Sequence, residues 1–101
     1  MFFDDWKKQP PKTIDPGLLW EYDVDSFTPE TWKRMRVTVV HRVIERGTRD
    51  DWYAMFQLYG GPRKVKRIIK KIPEMQEIDI NFVKTLFNLK DYQLRCCRLK
   101  Q

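Results

Sequence analysis

The chain has 101 residues, 42 % apolar and 34 % charged. That balance excludes a disordered chain and allows one domain with a modest core. Its formal net charge of +6 is unevenly spread: residues 1–30 hold three lysines against seven carboxylates, and the rest holds seventeen cations against seven. A basic body behind an acidic N-terminal segment points to an anionic partner, and no apolar run approaches the ~20 residues that cross a bilayer, so no membrane partner is expected.

Residues 1–17 carry Pro10, Pro11, Pro16 and Gly17. Proline removes backbone donors and glycine costs entropy, so this stretch reads as an irregular lead-in. Its opening, MFFDDWKKQPP, has acids where a secretory leader needs cations, and a cytoplasmic location is expected. In LLWEYDVDSF (18–27), Leu18, Leu19, Trp20, Tyr22, Val24 and Phe27 partly alternate with Glu21, Asp23 and Asp25. That pattern predicts an extended aromatic strap laid on the body by its apolar side.

A helix is predicted from Thr28 to Arg46. Thr28 can cap it, Pro29 suits its first position, and Trp32, Met35, Val39, Val40 and Val43 form a stripe at helical spacing. Val37, Val39, His41 and Val43 also alternate as in a strand, but the start signals and the Arg46–Gly47 ending favour the helix. Thr48 and Asp51 form a capping box with a short acid, so a second helix follows, with Trp52, Met55, Phe56 and Tyr59 on one face. Gly60 falls where a left-handed cap is wanted, and Pro62 opens the next helix. A phosphate cradle would need glycines after a strand at a different spacing, so Gly47, Gly60 and Gly61 read as helix joints.

The helix predicted over 62–72 buries Val65, Ile68, Ile69 and Ile72. The rest of its surface is Arg63, Lys64, Lys66, Arg67, Lys70 and Lys71, with no acid among them. Like charges so close repel, so these six are the candidate binding residues, either for an acidic protein or for nucleic acid; the competing reading is a solvated face, or one satisfied by the acidic strap Glu21–Asp25. A helix-turn-helix about Gly60 fits poorly, because it puts bulky Phe56 at a small-residue position and Lys66 at a core one. Pro73 ends this helix. Asp79 is the expected cap of a fourth helix with Phe82, Val83, Leu86 and Phe87 facing inward, and one more turn is expected around 91–94.

No catalytic constellation assembles. His41 has no base or nucleophile near it in sequence, and Asp50 and Asp51 are explained by the helix dipole. Adjacent Cys96 and Cys97 rarely close a disulfide. Two thiols and a distant histidine are too few for a closed zinc site, so no metal or cofactor is expected, and the chain is expected not to be an enzyme. Trp6, Trp20 and Trp52 are candidates for either core or interface.

The segments LLWEYDVDSF (18–27), RVIERGTRDDWYAMFQLYG (42–60) and FNLKDYQLRCCRLKQ (87–101) together resemble a family of small uncharacterised bacterial proteins. Members of that family are often encoded beside nucleotidyltransferase-type toxins of the abortive-infection class. The resemblance implies an antitoxin or accessory partner of such a toxin and no catalytic residues. The expected architecture is all-α: a small bundle of about four short helices with an extended aromatic N-terminal strap. Residues 1–17 would form the lead-in, 18–95 one helical domain, and 96–101 a frayed C-terminal tail.

Overall fold

The computed structural model describes residues 3–98, and among these the chain is helical with no strand. The all-α bundle is therefore as expected, but it has six helices: α1 (Pro29–Arg34), α2 (Arg36–Arg46), α3 (Arg49–Tyr59), α4 (Pro62–Ile69), α5 (Glu77–Phe87) and α6 (Arg95–Arg98). Short 3-10 turns stand at Pro16–Leu19, Val24–Ser26 and Asp91–Gln93.

The helix expected over 28–46 is broken at Met35, and the alternating stretch 37–43 is helical, not a strand. Thr28 caps α1 as its sequence implies, exchanging hydrogen bonds with Thr31. The break has a source outside the segment. Tyr59 Oη donates to the Trp32 carbonyl at 2.8 Å, and Arg36 Nη1 donates to the Lys33 carbonyl at 2.9 Å. Side chains thus occupy two carbonyls that a continuous helix would use for Arg36 and Val37 N–H groups. Tyr59 is half-buried, and burial pushes its phenol above its ordinary pKa, so it stays a donor. Tyr59→Phe is expected to cost about 1 kcal/mol, read as a lower urea midpoint. An unchanged midpoint would mean the Trp32 carbonyl finds an equal partner without the phenol.

Thr48 and Asp51 form the expected box at the start of α3: Thr48 N–H donates to Asp51 Oδ2 at 2.9 Å. The other oxygen, Asp51 Oδ1, accepts from the Asp15 N–H at 2.9 Å. Asp51 is only 4 % exposed, and this double use of its carboxylate explains how a charge is tolerated there. Gly47 caps the end of α2 as expected, its N–H bonded to the Val43 carbonyl, but with an extended rather than left-handed backbone (φ −70°, ψ 147°). Glycine is needed there for space, because a Cβ would stand 2.6 Å from the Val43 carbonyl oxygen. Gly60 does take the left-handed cap (φ 91°, ψ 23°), and the N–H groups of both Gly60 and Gly61 reach the Phe56 carbonyl.

Residues 51–56 are buried without interruption, so α3 is covered on more than the one face its periodicity predicts. The lead-in supplies the cover. Phe3 stacks on Trp52 with centroids 5.4 Å apart, Tyr53 Oη donates to Asp5 Oδ1 at 2.6 Å, and the Gln57 amide bonds Lys12 N–H and the Gln9 and Pro10 carbonyls. Residues 18–27 are not an extended strap. Two 3-10 turns bend them so that Leu18 and Leu19 enter the core while Trp20 stays 73 % exposed.

The third predicted helix stops at Ile69, three residues short of expectation. Lys71 and Ile72 instead make tight i→i−3 bonds, since the residue before Pro73 is steered out of helical geometry. Ile72 is nevertheless fully buried. Asp79 is not the cap of α5 but its third residue; Gln76 holds the cap position without a side-chain bond. Phe82 is 48 % exposed, in a T-shaped contact with Trp52, so the buried stripe is Ile80, Val83 and Phe87, with Leu86 partly buried against the core as expected. The fray expected from 96 does not begin there: α6 runs through Arg98 and Cys96 is buried, while residues 99–101 lie outside the described part.

Candidate functional site

The six candidate cations all stand on α4 and the turn after it. Val65, Ile68 and Ile69 turn inward, so the remaining positions must face away from the core. Arg63, Lys64, Arg67 and Lys71 are exposed, and Lys66 and Lys70 are partly buried. The stems of the latter two can lie along the helix while their ammonium groups reach water. The structure thus brings the six together as one ridge.

Electrostatically the ridge works against its own helix. The first turn of α4 holds no acid, and Arg63 and Lys64 sit where the helix dipole disfavours cations. Arg67 has Arg63, Lys64, Lys70 and Lys71 three or four positions away, all of like sign. Among the described residues none of the six is in a salt bridge: the lysines and arginines that pair are Lys12 with Asp50, Arg42 with Glu21, and Lys84 with Asp91.

The second of these pairs bears on whether the strap screens the ridge. Arg42 Nη1 stands 2.6 Å from Glu21 Oε1 and donates to the Leu18 carbonyl at 3.0 Å. The acidic segment is therefore tied to α2 through Glu21. Beyond the ridge, the Arg95 N–H donates to the Lys70 carbonyl at 3.1 Å, so exposed Arg95 extends the positive charge past the end of α4. Sequence spacing held no sign of that neighbour, because α6 reaches α4 only through a long-range contact.

His41 lies away from any assembled catalytic set. Its Nε2 is 3.5 Å from Glu45 Oε1, at the edge of a cleft of about 450 Å³ that Pro73, Met75 and Cys96 also line. Cys96 and Cys97 form no disulfide with each other; their sulfurs lie 4.0 Å apart. Among the described residues no group of three or more His, Cys, Asp or Glu could hold a metal ion, and no helix is long and apolar enough to cross a membrane.

Beside His41 and Glu45, burial raises the pKa of the Asp79 carboxyl; the Glu45 carboxylate adds to the rise and His41 opposes it. The folded chain therefore holds this proton more tightly than the unfolded chain does. The associated stability is full below the ordinary carboxylate value and is lost as pH climbs through the raised one. Asp79→Asn is expected to gain on the parent in denaturant midpoint as pH rises from about 3.5 to 6. A gap that stays constant over that range would show that Asp79 titrates alike in both states.

Residues 14–69, from buried Ile14 to the last residue of α4, match the model of a family described as "Family of unknown function (DUF6922)". No curated protein and no solved structure matches the chain.

Proposed function

We propose that the chain, which belongs to the family DUF6922, is a non-enzymatic binding protein whose α4 ridge docks on an acidic protein surface. The partner implied by the resemblance of its motifs is a nucleotidyltransferase-type toxin, with the chain as antitoxin or accessory protein. Such an enzyme holds its metal with carboxylates, and the ridge Arg63–Lys71 has the charge to cover them.

One observation carries this reading: six cations share the outer surface of α4 and the turn that follows it without a carboxylate in salt-bridge reach among the described residues. Like charges three and four positions apart repel and lower helix stability, although those at the C-terminal end of α4 complement its dipole. A protein partner fits better than nucleic acid because residues 1–30 are acidic on balance. A polyanion running across the molecule would meet those carboxylates, whereas an acidic protein patch can keep to the basic surface.

The test is complex formation with a nucleotidyltransferase-type toxin of the abortive-infection class. At micromolar concentration the two are expected to co-elute in size-exclusion chromatography. The variant Lys64→Glu/Arg67→Glu/Lys71→Glu should elute alone while keeping its helical circular dichroism. Separate elution of the parent chain removes the proposal. So does tight binding to single-stranded RNA with a steep salt dependence, since that would identify the ridge as a phosphate tracker.

A further inference from the structure

We infer that the binding surface does not end with α4 but continues onto the N-terminal elbow, residues 3–8, making it a two-limbed site for an acidic protein surface longer than one helix face. This rests on the reading of the α4 ridge given above. The elbow is a pair of tight turns, with Trp6 N–H bonded to the Phe3 carbonyl at 3.1 Å and Lys8 N–H to the Asp5 carbonyl at 2.9 Å. One side of it is spent on α3. Phe3 packs among Trp52, Tyr53 and Phe56, and the Asp5 carboxylate accepts from Tyr53 Oη at 2.6 Å and Gln9 Nε2 at 2.7 Å. The Tyr53 bond, foremost, holds the Asp5 carboxyl below its ordinary pKa, so it stays ionised and facing α3.

The other side meets the start of α4. A Cβ on Gly61 would stand 2.6 Å from Cζ2 of Trp6, so the indole lies directly on the Gly61 backbone. Lys7 Nζ sits 5.5 Å from the centroid of that indole, which fixes its ammonium near the same corner. The Lys64 side chain folds back over the neighbouring Gly60: a Cβ there would lie 2.9 Å from its Cδ and 3.3 Å from its Nζ. Lys7 and Lys8 are exposed, and among the described residues neither they nor Lys64 form a salt bridge.

Two segments more than fifty residues apart in the chain therefore bring like charges to one corner, where the fold gains nothing from their meeting. The half-buried Trp6 between them offers an apolar edge among cations, the combination that anchors protein interfaces. An acidic partner with an apolar residue beside its carboxylates would engage both limbs.

Poly-L-glutamate is the probe, with affinity measured at one ionic strength for the parent and three variants that melt alike. Lys7→Glu/Lys8→Glu changes the elbow, Lys64→Glu/Arg67→Glu changes the ridge, and Arg46→Glu/Lys90→Glu makes the same change in net charge at other exposed cations. Elbow and ridge variants are each expected to bind at least about tenfold more weakly than the Arg46/Lys90 control. If the elbow variant fails to fold, Lys7→Gln/Lys8→Gln takes its place with a smaller loss expected in the same direction. Loss in the ridge variant with the elbow variant equal to the control overturns the two-limbed site and leaves the α4 reading standing. Equal weakening in all three variants, no binding by the parent, or tighter binding of a single-stranded oligonucleotide than of poly-L-glutamate overturns both.

Discussion

Gly61→Ala is expected to destabilise the chain by about 3 kcal/mol, clearly more than Gly60→Ala at about 1 kcal/mol. Both glycines have positive φ, but they differ in kind. Gly60 (φ 91°, ψ 23°) is in the left-handed helical region, which other residues reach at moderate cost. Gly61 (φ 106°, ψ 177°) is in a region open essentially to glycine alone. Their surroundings differ as well. A Cβ on Gly60 meets the flexible end of Lys64, which can swing away. A Cβ on Gly61 meets the Trp6 indole at 2.6 Å, and moving that ring disturbs the elbow that Phe3 and Asp5 anchor to α3. Urea midpoints for the two variants give the ranking, and tryptophan fluorescence should shift for Gly61→Ala because Trp6 is displaced. Equal losses, or a smaller loss at Gly61, would mean that the α3–α4 corner is not built on that glycine.

Arg63→Glu is expected to do the reverse and raise stability by about 1–2 kcal/mol while weakening the partner complex. Arg63 is the second residue of α4, exposed and in no salt bridge among the described residues. Lys66 and Arg67 follow it at three and four positions. The substitution turns two repulsions into two attractions, each worth roughly 0.2–0.5 kcal/mol on either side of zero, with the acid on the favoured N-terminal side. It also places an anion in the first turn, worth about 0.3–1 kcal/mol against the helix dipole. For a domain of this size each kcal/mol moves the melting temperature by about 4–8 °C. A substitution that strengthens the fold and weakens binding marks a residue kept for something outside the chain.

Much of this architecture could be read from local signals, since the elements with local signals kept them. Thr28 before Pro29, Thr48 with Asp51, and the Phe56–Gly60 ending each work through neighbours within a turn or so, and each appears as its spacing implies. Val65, Ile68 and Ile69 needed only helical periodicity to reveal the ridge opposite them. The early end of α4 before Pro73 and the cap of α5 at Gln76 are local misreadings, whereas the larger ones come from contact between segments far apart in sequence. The break at Met35 depends on Tyr59, and the unbroken burial of residues 51–56 depends on a proline-rich lead-in with no periodicity of its own. The alternation in 18–27 counted for little because Leu18 and Leu19, adjacent in sequence, both turn into the core. The composition of the ridge was legible from the start. Its freedom from the acidic segment at Glu21 was not, because that depended on where Arg42 would stand. Lys7 as a neighbour of Lys64 was equally hidden, since only the placement of Trp6 on Gly61 joins them.

Thermal melting of the parent chain and Arg63→Glu, each at low and at high ionic strength, tests most directly whether the ridge is open and uncompensated. An open ridge predicts a variant that melts several degrees above the parent at low salt, with the gap narrowing as salt screens the charges. A variant that melts below the parent at both ionic strengths contradicts it, because Arg63 would then be contributing to the fold rather than waiting for a partner.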